Sequence, residues 1–295
     1  MDPPYTRTGT YKHFSWLHTI PSRKNDFLEN GEIRPREDRI SITLRKCVDA
    51  EEAGKLIEKN LVKNVYNHIA SDFSKSRYKM WPMVADFVAK IPRDAFMIDL
   101  GCGNGKNLIP VTRHSLGLEI SIGLAEICRE RSLEITLGDC TNTQIRNNVA
   151  DYVISIAVLH HMATEKRRLQ ALQEVGRILK AGGKAMVTSW AAKQNCDSGK
   201  KSNYASKEDS SEDYGPANTQ LPIHKARTEF KNKDLLVPFK GTPNGTSDDS
   251  EACHRYYHVF EEGEMKDLAV KTNIFSHIEE VYDDGNYVLF LTRKD

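Results

Sequence analysis

Three acidic side chains and three glycines stand at intervals that suit the grip of a small molecule. Asp99 lies in the apolar run Ala95-Phe96-Met97-Ile98-Asp99-Leu100, and Gly101, Gly103 and Gly105 follow at alternate positions in Gly101-Cys102-Gly103-Asn104-Gly105-Lys106. Glycines at this spacing let the backbone turn tightly and approach a ligand with no Cβ in the way. Glu119 ends Leu116-Gly117-Leu118-Glu119, 20 residues after Asp99. A carboxylate there can accept hydrogen bonds from ribose hydroxyls. Asp139, in Gly138-Asp139-Cys140, is placed to meet an adenine edge. Alone, each acid could be a solvated loop carboxylate; three at successive strand ends behind such a loop point to an adenosine-containing ligand.

The pattern Asp-x-Gly-x-Gly-x-Gly differs from the Gly-x-Gly-x-x-Gly of dinucleotide sites, whose third glycine would fall at Lys106. It is the form of loop that holds S-adenosylmethionine. Backbone N–H groups at the start of a following helix are expected to receive the methionine carboxylate. Asp99 is expected near the positive half of the ligand, with Tyr66 and Ile156 lining the same pocket.

These residues need a scaffold that gathers strand ends. Strands are expected at 95–100, 115–119, 133–137, 151–157 and 184–190, with helices at 122–131 and 165–179. Helix 165–179 carries Leu169, Leu172, Val175, Ile178 and Leu179 on one face and is expected to stop at Gly182-Gly183. Such alternation implies a parallel sheet with helices on both faces. Upstream, Ala53, Leu56, Ile57, Leu61, Val65 and Ile69 mark an amphipathic helix over 50–73, and Pro82 opens another through Val88. Downstream, 256–260 reads as a strand and 262–271 as a helix. The alternating runs 274–282 and 287–293 flank Asp283-Asp284-Gly285-Asn286, a hairpin signal.

The organisation expected is a segment 1–48, a core 49–192, a polar insertion 193–252 and a C-terminal part 253–295 that completes the sheet. The insertion is rich in Lys, Ser, Asp, Asn and Gly and is expected to be mobile. Asp234-Leu235-Leu236-Val237-Pro238-Phe239 is the exception, apolar enough to dock on something. The 295 residues carry a net charge of +1, so contact with nucleic acid needs a local basic patch. Lys193, Lys200, Lys201, Lys225, Arg227, Lys231 and Lys233 form one candidate patch, or only a solubilising loop. Six cysteines without a C-x-x-C pair fit reduced thiols better than a disulfide framework or a zinc site. No apolar run approaches the ~20 residues of a membrane helix, and the first residues have no signal-peptide character. A cytoplasmic location, or a nuclear one, is expected.

With the glycine loop, four further segments occur in order: Val65-Tyr66-Asn67-His68-Ile69-Ala70, Arg77-Tyr78-Lys79-Met80-Trp81-Pro82, Ile154-Ser155-Ile156-Ala157-Val158-Leu159-His160-His161 and Arg255-Tyr256-Tyr257-His258-Val259-Phe260. Over roughly 58–192 and 220–295 the chain resembles the SAM-dependent methyltransferases that convert wobble 5-carboxymethyluridine of tRNA to its methyl ester. The resemblance implies an α/β class I methyltransferase fold, Rossmann-like, with a mostly parallel seven-stranded sheet and a C-terminal antiparallel hairpin. It implies S-adenosylmethionine as cofactor, the tRNA anticodon loop as substrate, and a small zinc-binding activator subunit as partner. The acceptor carboxylate is ionised at pH 7, so alignment and removal of water matter more than a strong base. Candidate catalytic residues are Arg77, His161, Trp190, Arg255, Tyr256 and His258. Glu119 stands where the family tends to carry Asp. A methyltransferase for a small or protein carboxylate, and a non-catalytic tRNA-binding relative, are the competing readings.

Trp16-Leu17-His18-Thr19-Ile20-Pro21 and Asp38-Arg39-Ile40-Ser41-Ile42-Thr43-Leu44-Arg45 resemble the C-terminal end of AlkB-type iron/2-oxoglutarate oxygenases. That resemblance maps the last iron ligand to His18 and the 2-oxoglutarate arginines to Arg39 and Arg45. No His-x-Asp occurs anywhere in the chain, and a facial triad needs three ligands. No metal site is expected.

Overall fold

Burial decides which parts of the alternating pattern become strands. A computed structural model describes residues 11–13, 16–18, 25–27, 31–35, 49–109, 114–194, 213–214, 221–225, 228–239 and 253–295. The chain divides into two units, Met1–Cys47 and Val48–Asp295. In the first, β1 (Tyr11–His13) pairs antiparallel with β2 (Trp16–His18), and β3 (Asn25–Phe27) with β4 (Ile33–Pro35). Arg39, Arg45 and the His18 side chain lie outside the described residues, as does the strand expected at 39–45.

The second unit opens with helices. The single helix expected over 50–73 is α1 (Ala50–Glu58), a wide π turn (Lys59–Lys63) and α2 (Asn64–Ser76). Its inward residues, Gly54, Glu58, Val62, Tyr66, Ala70 and Ser74, recur every four positions. An α-helix with 3.6 residues per turn would rotate such a row off one face; one wider turn resets it. Next comes α3 (Pro82–Ala89).

The α/β alternation follows as β5 (Met97–Leu100), β6 (Ser115–Glu119), α4 (Ile122–Glu130), β7 (Ile135–Leu137), β8 (Ala150–Ile156), α5 (Glu165–Ile178) and β9 (Leu179–Trp190). All four residues of β5 are buried, as befits a central parallel strand covered on both faces. Ser121 and Thr164 cap α4 and α5 by accepting from the Leu124 and Arg167 N–H groups. α5 ends at Ile178, four residues before the glycine pair expected to stop it. Leu179 is fully buried and pairs with Ala150, so sheet burial takes it out of the helix. Gly182, at φ +70°, serves an irregularity within β9 instead.

The remaining elements are β10 (Asp213–Tyr214), β11 (Pro222–Ile223), β12 (Asp234–Phe239), β13 (Cys253–His258), α6 (Glu264–Thr272), β14 (Phe275–Asp283) and β15 (Asn286–Arg293). The main sheet has the order β14-β15-β9-β8-β5-β6-β7, with β15 antiparallel to both neighbours. Asp284 and Gly285, both at positive φ, make the two-residue turn between β14 and β15. No described helix is long and apolar enough to cross a membrane.

A second sheet, β10-β11-β12-β13, takes up the segment 234–239 that stood out as the apolar exception in the otherwise polar insertion. Leu235, Leu236 and Val237 are buried against β13, with Leu236 opposite Tyr256 and Leu235 opposite Tyr257. Residues 195–212, 215–220, 226–227 and 240–252 of the insertion lie outside the described residues. Lys233 pairs with Glu261 and Glu264 at 3.0 and 3.3 Å, which withdraws it from the proposed basic patch.

One polar cluster fastens this sheet to the core. His258 is buried, with Nδ1 2.9 Å from Asp234 and Nε2 2.8 Å from Glu264. Asp234 also accepts from the Tyr256 hydroxyl. Burial pulls the His258 pKa down, but the two carboxylates outweigh burial and hold it above 6.5. A raised histidine pKa contributes stability that is present below the unfolded value and lost as pH rises through the folded one. His258→Gln is therefore expected to destabilise the protein by about 2 kcal/mol at pH 6. The gap should narrow as pH rises above 6.5. Thermal unfolding of both proteins across pH 6–9 checks this; a gap that stays constant would separate His258 from any charge.

Candidate functional site

Chain direction reverses about β5, whose neighbours are β6 on one side and β8 on the other. In open α/β sheets such a reversal leaves a crevice at the carboxyl ends of the strands. Here it opens into a cavity of about 360 Å³, within the range of small-molecule sites.

One side of the cavity is the glycine loop. Gly101, Gly103 and Gly105 all have positive φ. A Cβ on Gly101 would overlap Val158, whereas one on Gly103 would have only Phe73, at 3.7 Å, as a neighbour. Gly103 is thus the open floor, and Gly101 the close-packed turn. Gly105 packs on Leu133 and does not line the cavity. Residues 101–109 run in turns, so among the described residues the loop does not open directly into the expected helix. Asp99 is fully buried beneath the loop rather than on the cavity wall. Its Oδ2 accepts from Asn107 at 3.4 Å, its Oδ1 has no partner, and burial raises its pKa to about 7.

Glu119 stands beside the loop. Its Oε2 accepts from Gly103 N–H at 2.7 Å and its Oε1 from the Ile120 and Ser121 N–H groups at 3.0 and 2.9 Å. Asp139 accepts from Thr141 through Oδ1 and from Arg167 through Oδ2, at 2.9 Å. Burial tends to raise its pKa, but the Thr141 bonds and Arg167 together lower it. Arg167, itself buried, also grips Glu58 at 2.6 Å. The α1 helix is thereby locked to the tip of β7. Glu119, Asp139 and Ile156 line the cavity with Gly101 and Gly103.

The other side is aromatic. His160 and His161 follow β8 in one 3₁₀ turn. His161 Nδ1 lies 2.9 Å from the Tyr256 carbonyl, which can only accept, so Nδ1 carries the proton. Nε2 then accepts from the Tyr66 hydroxyl at 3.0 Å. His160 has the opposite tautomer, because its Nδ1 accepts from Trp190 N–H at 3.3 Å. Burial pulls the His161 pKa to about 3 and His160 well below its usual value, so both rings are neutral at physiological pH.

Pleating sorts the Arg255-Tyr256-Tyr257-His258 segment. Successive strand side chains point to opposite faces. Arg255 and Tyr257 line the cavity; Tyr256 and His258 do not, and serve the polar cluster with Asp234. Tyr257, not Tyr256, is the tyrosine at the site. Its ring stacks on His160 at 4.5 Å and meets Trp190 at 4.7 Å. The Arg255 guanidinium is ringed by Tyr257, Phe239 and Tyr66 at 5.2, 5.3 and 5.9 Å. It donates to the Tyr66 hydroxyl at 3.5 Å, its Nε has no partner, and no described acid pairs with it. Tyr66, expected on the cofactor side, belongs to this wall.

Arg77, His161 and Trp190 also line the cavity. Glu58, Phe73, Lys106 and the hairpin turn Asp283–Asn286 line it without having been foreseen. The turn itself was legible in Asp-Gly, but its place over the cavity follows from β15 lying against β9. Among the described residues no cluster of His, Cys, Asp and Glu could hold a metal.

Residues 98–187 match the family model described as a methyltransferase domain. The fold resembles a SAM-dependent methyltransferase from Clostridium acetobutylicum, with TM-score 0.53, 12% identity, and coverage of 79% of this chain and 100% of that one. A possible histamine N-methyltransferase from Thermotoga maritima gives TM-score 0.50 at 16% identity, covering 78% and 99%. Fold and loop define a class I SAM-dependent methyltransferase, and S-adenosylmethionine is its cofactor. The open floor at Gly103 and the Glu119 and Asp139 carboxylates, all on the cavity lining, suit that molecule.

A Xenopus tropicalis protein named tRNA (carboxymethyluridine(34)-5-O)-methyltransferase alkbh8 is 32% identical over 95% of this chain and 54% of its own length. The Schizosaccharomyces pombe tRNA (carboxymethyluridine(34)-5-O)-methyltransferase is 36% identical over 78% of this chain and 95% of its own. The chain belongs to the tRNA (carboxymethyluridine) methyltransferase family, although it spans only about half the length of the frog relative.

Gly103→Ala is expected to fold, with a loss of about 1–2 kcal/mol for its left-handed backbone. Its affinity for S-adenosylmethionine should fall at least about tenfold, because the new methyl group enters the cavity. Calorimetric titration of the cofactor checks this, and an unchanged Kd would take Gly103 off the binding surface.

Proposed function

We propose that this chain transfers a methyl group from S-adenosylmethionine to the carboxylate of wobble 5-carboxymethyluridine in tRNA, giving the methyl ester. Arg255 is the observation that carries the reading. A buried cation with no acidic partner is unfavourable until an anion joins it, and Arg255 faces a cavity that also presents the cofactor loop. The relatives' names supply the identity of the anion.

Bound cofactor supplies an electrophilic methyl group on a sulfonium. Arg255 holds the acceptor carboxylate, and Tyr66 fixes the guanidinium. His161 fixes Tyr66 in turn, since both of its ring nitrogens are engaged. With a pKa near 3 it takes up no proton at neutral pH, and an ionised carboxylate needs no base. Trp190, Tyr257 and Phe239 exclude water from the carboxylate, which strengthens its attack.

Two further parts of this reading concern partners and history. A small zinc-binding activator subunit is proposed to extend the sheet along β7. Among the described residues that strand pairs only with β6, and Leu137 and Ile122 beside it are 55% and 50% exposed. Strand addition at an open edge is a common mode of association. We also read residues 1–48 as akin to the C-terminal end of an AlkB-type oxygenase; the frog protein's match over 95% of the chain, which must enter this segment, supports it.

The test is incubation with labelled cofactor, the activator, and tRNA bearing the free acid at the wobble base. Label is expected as a base-labile methyl ester. Arg255→Met should cut turnover about 100-fold and leave cofactor Kd within about twofold. Label on small acids instead, or full turnover in the variant, would sink the proposal. Leu137→Glu should abolish co-purification of the activator while leaving the fold intact by circular dichroism.

A further inference from the structure

Three buried polar atoms on the aromatic side of the cavity have no hydrogen-bond partner among the described residues: Arg255 Nε, His160 Nε2 and Asn286 Oδ1. Leaving a buried donor or acceptor unmatched costs stability, so three on one wall call for a ligand. Arg255 has the acceptor carboxylate. The other two take no part in that contact.

What each atom offers follows from the bonds its side chain already makes. His160 Nδ1 accepts from the Trp190 N–H at 3.3 Å, and burial keeps the ring neutral. Nε2 therefore bears the proton and is a donor. Asn286 spends its amide N–H groups on the Asp283 and Asp284 carbonyls at 3.3 and 3.1 Å. Those bonds settle which end of the amide is left over: Oδ1, which can only accept.

Trp190 links the two. His160 holds its N–H, and Asn286 stands opposite it across β9 and β15. Residues opposite one another in an antiparallel pair share a face of the sheet, with Cβ atoms about 4.5–5.5 Å apart. On the far side of His160 comes Tyr257, its ring stacked at 4.5 Å, and then Arg255, its guanidinium 5.2 Å from the Tyr257 ring centre. The wall thus runs cation, donor, acceptor: Arg255, His160, Asn286. A uracil with a carboxymethyl group on C5 presents the matching groups in the same order around its ring: the carboxylate, the O4 acceptor and the N3–H donor. Cytosine reverses the last two. Its N4 amino group would meet the His160 donor, and its N3 lone pair the Asn286 oxygen.

We infer that His160 Nε2–H and Asn286 Oδ1 read the O4 and N3–H edge of the acceptor base, so that the site selects uracil over cytosine. The inference rests on the tRNA reading above and adds to it the two residues that recognise the base.

The experiment measures methyl-ester formation by the full chain with its activator on two synthetic anticodon stem-loops. One carries 5-carboxymethyluridine at the wobble position and the other 5-carboxymethylcytidine. The wild-type protein should prefer the uridine at least about 100-fold in kcat/KM. Asn286→Ala and His160→Phe should each shrink that preference at least about tenfold, mainly by slowing the uridine reaction. Asn286→Asp keeps an acceptor oxygen and should retain most of the preference. The readout is a ratio within one protein, so a loosened turn or a weakened cofactor site lowers both rates and leaves it unmoved. No preference in the wild type, or an unaltered one in Asn286→Ala and His160→Phe, would overturn the inference and leave the tRNA reading standing. Absence of ester on the uridine stem-loop with the wild-type protein would overturn both together.

Discussion

Everything in the cavity owes its place to the reversal of connections about β5. Because β6 and β8 flank that strand and are reached by crossovers in opposite directions, the chain leaves the sheet to either side and the strand tips are uncovered. The glycine loop, Glu119, Asp139 and the His160-His161 turn are all residues that follow, or end, a strand at this one edge of the sheet. Helices α1 and α2 then roof the gap. The wide turn between them is what keeps Glu58, Val62 and Tyr66 facing it together.

Closing such a gap buries charge, and the chain meets that in three different ways. Glu58, Arg167 and Asp139 neutralise one another at 2.6 to 2.9 Å, and removing one member of such a group leaves an uncompensated charge worth about 3–5 kcal/mol. Asp99 meets its burial by holding a proton more tightly than an exposed aspartate. Arg255 cannot shed its charge and has no acid among the described residues, so it rests on three aromatic faces, each worth about 0.5–2 kcal/mol. Only the first arrangement is complete within the chain. Asp99 lies beneath the glycine loop, whereas Arg255 lines the cavity where a ligand belongs.

The α/β rhythm was legible because parallel strands, buried on both faces, are written as apolar runs, and Glu119 and Asp139 could be placed from their positions after such runs. Local signals misled where tertiary burial competed with them. Leu179 left its helix for the sheet despite the glycine pair downstream, and the loop glycines, all at positive φ, are followed by turns and among the described residues do not open directly into a helix. Arg255 and Tyr256 were named together because a motif does not reveal which way a strand is facing; once the strand is given, a period of two separates them. The Asp283–Asn286 turn was written in the sequence as a turn, but nothing local tells that β15 inserts next to β9. The folding of β12 onto β13 was hinted at only by six apolar-rich residues in a polar stretch.

The Arg255–Tyr66 bond spans 189 positions of sequence. The half of the pocket around the glycine loop is complete by about residue 187, whereas the aromatic half waits for β12 and β13. Loop-closure entropy makes contacts of long span slow to form, and a chain emerging from the ribosome folds its early parts first. The arginine that completes the opposite wall is thus synthesised 68 residues after Val187, and the two walls meet only when most of the second unit has been made.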